Sequence, residues 1–401
     1  MSYLHSAAMH NRINLFLIVI IASCLQLAGC SLLSKPKEWF EKEEDPREPA
    51  KLNKLETGKI SVQRVWRNSV GDLEETYNKI RPYITDDRVY LSDAEGRVEA
   101  WQREDGKRIW SVNLKEDISG GVNGGEGIVA IGTENGEVIA LGADDGMERW
   151  RVKVPSEVMS LSEAKYGVIV TRTNDSKVHA LDLNTGAINW SAGKGTPPLT
   201  LRGASQPKVV GDLVLVGFDD GKLMAINLRD GEPVWEVPVS TPKGRSELER
   251  MSDVDGEFAY LDGIVFAASF NGRVVAVDLD TGKTLWTKDL SSYAGLSVDR
   301  ERVYVTDADD SIWGLDISTG ATLWRQDKLL YRELTAPQVM GNYIVVGDFK
   351  GYLHWLSKEE GKIVGRDNVA GDKIEVAPII IDERAYVLAN NGSLSVLQYR
   401  K

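Results

Sequence analysis

The stretch NGRVVAVDLDTGKTLW, residues 271–286, decides the fold. It reads as a tight turn, a β-branched run, a second turn closed by Thr-Gly, and a run that ends in tryptophan. The same phrase returns as SKVHALDLNTGAINW at 176–190, DGKLMAINLRDGEPVW at 220–235 and DSIWGLDISTGATLW at 310–324. A phrase that recurs at a fixed period is the mark of a repeat architecture.

Aligned on itself, the chain carries eight copies. The first-turn position falls at Gly96, Gly136, Ser176, Gly221, Gly272, Ser311, Gly351 and Gly392, with steps of 40, 40, 45, 51, 39, 40 and 41. The tryptophan recurs at Trp110, Trp150, Trp190, Trp235, Trp286 and Trp324, and Gly365 replaces it in the seventh copy. Runs such as Val89-Tyr90-Leu91, Val214-Leu215-Val216 and Ile344-Val345-Val346 are continuously apolar, as strands buried on both faces should be. Four short strands per forty residues predict an all-β protein, an eight-bladed β-propeller of four-stranded blades.

The last copy stops at Lys401 after its third strand. The missing strand appears at the other end as Ile60–Trp66, ISVQRVW. We therefore expect the N-terminal strand to complete the last blade, with Trp66 in the eighth tryptophan slot and no open sheet edge left over. Each tryptophan is expected to wedge between neighbouring blades, its indole N–H satisfied by a backbone carbonyl.

Ahead of the propeller lies a processing signal. An apolar stretch from Ile13 to Leu27 is short for a membrane span and normal for a signal-peptide core. It ends in Leu27-Ala28-Gly29-Cys30, which resembles a bacterial lipobox and implies that Cys30 becomes the lipidated first residue. Ser31 follows, and resemblance to sorting in Gram-negative bacteria then implies the outer membrane, periplasmic face. The expected organisation is a signal peptide over 1–29, a lipidated cysteine and flexible tether over 30–59, and the propeller over 60–401.

Composition excludes several classes. A net charge of −12 argues against nucleic acid as a partner. Cys24 and Cys30 are the only cysteines, too few for a disulfide framework or a zinc cluster. His179 and His354 occupy the same slot of two copies and are expected to be structural. Asp-rich turns such as Asp278–Gly282 lack the full ligand spacing of a calcium loop and read as Asx turns. No catalytic residue, metal or cofactor is expected.

Interruptions of the repeat show where sequence is spent on something besides packing. From tryptophan to the next first turn the ordinary gap is 25 to 27 residues, but it is 30 from Trp66, 31 from Trp190 and 37 from Trp235. Strand parity puts both long links, into copies four and five, side by side on the rim that carries the first turns. Within them, Leu199 and Leu201 beside Arg202, with Asp253 and Asp255 on the next loop, have the mixed apolar and charged composition of a docking patch.

The lipobox, the eight-fold ladder and the segments LTLRG (199–203) and SDVD (252–255) resemble the BamB family, over essentially the whole chain after the tether. The resemblance implies a non-enzymatic scaffold lipoprotein of the outer membrane β-barrel assembly (BAM) complex. It also implies that Leu199, Leu201, Arg202, Asp253 and Asp255 dock on the periplasmic POTRA domains of BamA. Quinone-dependent dehydrogenases share the ladder, with cofactor and calcium in the central channel, and are the enzymatic alternative. A propeller that captures unfolded outer membrane proteins along strand edges is the third reading.

Overall fold

The computed structural model describes residues 47–55, 60–73, 80–195, 200, 205–240, 253–254 and 256–400. Among these residues the regular structure is all strand, gathered into eight four-stranded antiparallel sheets. Blade 1, for example, comprises Tyr83–Ile84, Arg88–Ser92, Arg97–Gln102 and Arg108–Asn113, paired in chain order. The first strands of blades 1, 2 and 3 touch in turn, as do those of blades 5, 6, 7 and 8, so the first strands are innermost and surround the axis of an eight-bladed ring.

Burial explains the sequence pattern. The two middle strands of each blade are covered on both faces, and Val89, Leu91, Val214, Leu215, Ile344 and Val346 all have 0% exposure. The outermost strand has one face in solvent and alternates, as in Glu148–Lys153, where Trp150 is the buried member. Continuous runs in the middle and alternation at the edge are what this layering requires.

The tryptophan ladder is the inter-blade fastener. Each indole N–H donates to a backbone carbonyl of the next blade: Trp150 to Leu183 at 2.7 Å, Trp190 to Leu228 at 2.8 Å, Trp286 to Ile317 at 2.8 Å. The ring then lies on the Thr-Gly turn of that blade. Gly186 shows why glycine is needed there: its φ is +73°, and a Cβ would sit 2.6 Å from the Trp150 ring. The tryptophan also pairs across its own sheet with a small residue, Ala140 with Trp150 and Gly314 with Trp324.

The seventh copy inverts that pair, because Trp355 on the third strand faces Gly365 on the fourth. The reason lies in the chain ends. Ile60 enters beside Gly365, close enough that a Cβ there would be 3.3 Å from it, and no Thr-Gly turn exists in the next blade to receive an indole. The bulk therefore moves inward by one strand.

Blade 8 consists of Ile379–Ile381, Arg384–Leu388, Ser393–Arg400 and the N-terminal strand Ser61–Ser69. Trp66 lies in this closing strand and donates to the Arg103 carbonyl of blade 1 at 3.0 Å. Two alignment details differ from the sequence reading. The left-handed turn residue is Asn271, φ +48°, rather than Gly272 in the fifth copy, and Asp310, φ +67°, rather than Ser311 in the sixth.

Candidate docking site

The links between blades share one rim with the first turns, and repeated hydrogen bonds enforce this. The N–H that follows the outermost strand donates to the first-turn glycine carbonyl: Leu114 to Gly96 at 2.8 Å, Val154 to Gly136 at 2.8 Å, Val239 to Gly221 at 2.9 Å. The long links into blades 4 and 5 are therefore rooted next to each other on that rim.

Of the five residues the sequence singled out for docking, Asp253 lies among the described residues; Leu199, Leu201, Arg202 and Asp255 lie outside them, as does Cys30. Asp253 is 1% exposed. Its carbonyl accepts the Phe270 N–H of the blade 5 first turn at 3.1 Å, and the next N–H, of Val254, donates to Phe218 of the blade 4 first turn at 3.2 Å. Val254 is fully buried against Val239 and Phe258, and its carbonyl lies so near Gly217 that a Cβ there would be 2.4 Å away. Asp253 and Val254 thus staple two blades together and form the root of the link.

The blade 4 turn is itself braced. Arg172, from the second strand of blade 3, pairs with Asp219, and Ser176 donates to the other oxygen of the same carboxylate. All three side chains are buried, and the Arg172 guanidinium lies 5.9 Å from the Phe218 ring. A buried pair with extra donors fixes geometry more than it adds stability. The root of the link into blade 4 is held by Gln206, which donates to Leu161 at 2.8 Å. At the outer end of that link, Lys194 and Lys222 both reach Glu236. Partial burial raises the Glu236 carboxyl, but the two ammonium groups outweigh it and hold it below the usual carboxylate range.

His179 and His354 are structural in position. His354 donates from Nε2 to Asp348 at 2.9 Å and accepts at Nδ1 from Arg366 at 3.1 Å, with 0% exposure. Asp348 is also gripped by Arg332 at 2.6 Å. His179 is 1% exposed and shares hydrogen bonds with Ser191 and Thr173. Burial lowers the pKa of both rings and keeps them neutral. The Asp-rich turns are Asx turns: Asp278 Oδ1 accepts from the Thr281 N–H at 2.9 Å and its hydroxyl at 2.6 Å. Among the described residues, no group of three or more His, Cys, Asp or Glu converges to hold a metal ion.

Sequence reasoning missed the channel. Arg81, entering blade 1, forms an ion pair with Glu257, entering blade 5, four blades away across the axis. Gln338 of blade 7 donates to the second Glu257 oxygen at 3.0 Å. The Arg172–Asp219 brace was also missed. The residue types at these positions do not recur from copy to copy, so self-alignment gives no sign of them. The one available hint was the length of the links that lead to Asp253 and Glu257.

The comparisons agree with this architecture. A family model described as "Outer membrane protein assembly factor BamB" matches residues 59–118 and 94–326. The outer membrane protein assembly factor BamB of Pseudomonas aeruginosa is 45% identical over 94% of this chain and 96% of its own length. The crystal structure of BamB from Moraxella catarrhalis superposes with a TM-score of 0.78 at 28% identity, covering 84% of this chain and all of that one. A quinohemoprotein alcohol dehydrogenase from Comamonas testosteroni shares the fold, with a TM-score of 0.65 at 13% identity over 84% of this chain and 76% of its own. A full-length match at that identity separates the two propeller families that the ladder alone left together: the chain belongs to the BamB family of outer membrane protein assembly factors.

Proposed function

We propose that this chain serves outer membrane protein assembly as a lipid-anchored, non-enzymatic scaffold that docks on the periplasmic POTRA domains of BamA. The observation that carries the reading is the pair of long links into blades 4 and 5, rooted side by side on one rim. Their roots are rigid: Asp253 and Val254 are pinned to two first turns, and the Arg172–Asp219 pair braces one of those turns. A protein-docking patch works best when its loops rise from such a base, because less ordering entropy is lost on binding.

In this reading Leu199, Leu201 and Arg202 supply an apolar pair with a charge beside it, and Asp255 supplies the acidic counterpart. Asp253 contributes by holding the link in place, since its side chain is buried. Cys30 carries the acyl chains that keep the protein on the periplasmic face of the outer membrane. The scaffold reading is further supported by His179 and His354, which are buried in structural hydrogen bonds.

Arg202→Glu tests the docking. It is expected to abolish co-purification of BamA from detergent extracts while leaving the melting temperature within about 1 °C, the outcome for a residue spent on docking rather than on packing. Retained co-purification would refute the assigned role of Arg202. A fall in melting temperature would show that the arginine is part of the fold.

A further inference from the structure

The Arg81–Glu257 pair divides the central channel in two. Arg81, Glu257 and Ala377 line the cavity on either side of it. On the first-turn side a cavity of about 90 Å³ lies between Tyr293, Glu333 and Lys373. On the opposite side, where the Thr-Gly turns lie, a funnel of about 750 Å³ opens to solvent. It is blind at the pair and open at the rim.

Its walls are unusual for a soluble surface. Tyr83, Val210, Phe258, Tyr260, Ile379 and Ile381 come from blades 1, 4, 5 and 8 and converge on the opening. Tyr260 is 37% exposed, while Val210, Ile379 and Ile381 are half-buried. Apolar side chains from four blades that meet around water form the kind of concave lining that receives a small ligand, and the volume falls in the usual range for one.

The charges inside are mostly spent. Arg81 is paired with Glu257, and Lys165 with Glu163 at 2.8 Å. Lys208 is the exception, forming no ion pair among the described residues. Its ammonium reaches the Phe258 carbonyl at 3.5 Å and lies 6.0 Å from the Phe258 ring. Lys208 is exposed at the funnel wall; the protein packed around it still lowers its pKa, with Glu257 opposing the shift. An exposed ammonium without an ion-pair partner among the described residues, set beside apolar side chains in a concave wall, is available to an anion.

We propose that the funnel binds a small carboxylate with an apolar body, its carboxylate on Lys208 and its aryl or alkyl group against Phe258 and Tyr260. The closed floor sets the size, since a guest enters from the Thr-Gly side and stops at Arg81. The site faces away from the rim that carries the long links, so it and the docking patch can be tested apart.

The test is calorimetric titration of the detergent-solubilised protein with 4-phenylbutyrate and with its neutral methyl ester. The acid is expected to bind at one site per chain and the ester at least about tenfold more weakly, the usual loss when a charged hydrogen bond goes. Lys208→Met should lose the same factor for the acid and nothing for the ester, and Lys208→Arg should keep the acid. Tyr260→Ala should weaken both ligands. Equal binding of acid and ester, no binding of the acid, or full binding by Lys208→Met at an unchanged melting temperature would each overturn the proposal.

Discussion

Trp324 and Trp355 are buried tryptophans one blade apart, and only one of them is satisfied. Trp324 donates its indole N–H to the Lys358 carbonyl at 2.8 Å. Trp355, displaced inward by the arrival of Ile60, has a buried indole N–H with no hydrogen-bond partner among the described residues. Changing either to phenylalanine removes a similar volume, a shared cost of about 1 kcal/mol. In Trp324→Phe that cost is joined by an orphaned carbonyl, whereas Trp355→Phe removes a donor that was already unsatisfied. We expect Trp324→Phe to be the more destabilising by about 1–3 kcal/mol in denaturant unfolding. Equal losses would show that the Trp355 N–H is solvated. The ladder was legible in the sequence because a tryptophan, a small residue opposite it and a glycine on the next blade recur with the period of the blade. The inversion at Trp355 was visible only as a missing tryptophan at Gly365. Its cause needs the two chain ends to be brought together in space.

A single carboxylate can hold a whole link in place. The loop into blade 7 is tied down by Asp310, whose oxygens accept the N–H groups of Glu333 at 2.7 Å and Leu334 at 2.9 Å. Asp310 is 3% exposed, and burial pushes its pKa up to about 6 in spite of those two donors. A carboxyl whose pKa is higher folded than unfolded stabilises the protein while protonated. That contribution is complete below about pH 4 and is lost as pH rises through about 6. Asp348 and Asp299 act in the opposite sense. Burial raises both, but Asp348 is held low by His354 and Arg332, and Asp299 by Lys358 and backbone donors. The Asp310 share must therefore be isolated by difference. Between pH 4 and 6.5 the unfolding free energy of Asp310→Asn should gain about 2 kcal/mol relative to the parent, whatever its absolute value. Parallel pH profiles would place the Asp310 pKa near that of an exposed carboxylate. Links of this kind were hard to read in advance. The sequence reports a link's length and composition, while its anchoring depends on a turn residue some twenty positions earlier.

At the scale of the ring, blade number and strand order followed from periodicity, whereas the channel did not. Arg81 and Glu257 are 176 positions apart and meet only because an eight-fold ring sets blade 1 opposite blade 5. The ends of the chain impose a different constraint. A propeller is stabilised by contacts between consecutive blades, so a ring with one blade unfinished has both an open edge and an unfilled wedge. The strand Ser61–Ser69 meets both needs. It pairs with the final strand from Ser61 opposite Arg400 to Ser69 opposite Ser393, with a bulge between Arg64 and Trp66. Arg67 donates to the Ala370 carbonyl of the neighbouring link and to Ser393, both at 2.9 Å. Asn68 bonds the Gly106 carbonyl of blade 1 at 2.6 Å, and the Trp66 ring packs against Gly106. Truncating Trp66 alone should cost about 3–5 kcal/mol. Removing the whole strand should also bare the edge of Ser393–Arg400, which is a template for pairing between chains. A chain beginning at Gly71 is therefore expected to elute as oligomers on size-exclusion chromatography and to melt well below the parent. Adding a synthetic peptide spanning 60–70 should return it to a monomer, because the missing strand is the same whether or not it is covalently joined. A monomeric truncation with the parent's melting temperature, indifferent to the peptide, would mean that the other seven inter-blade contacts suffice to hold the ring shut.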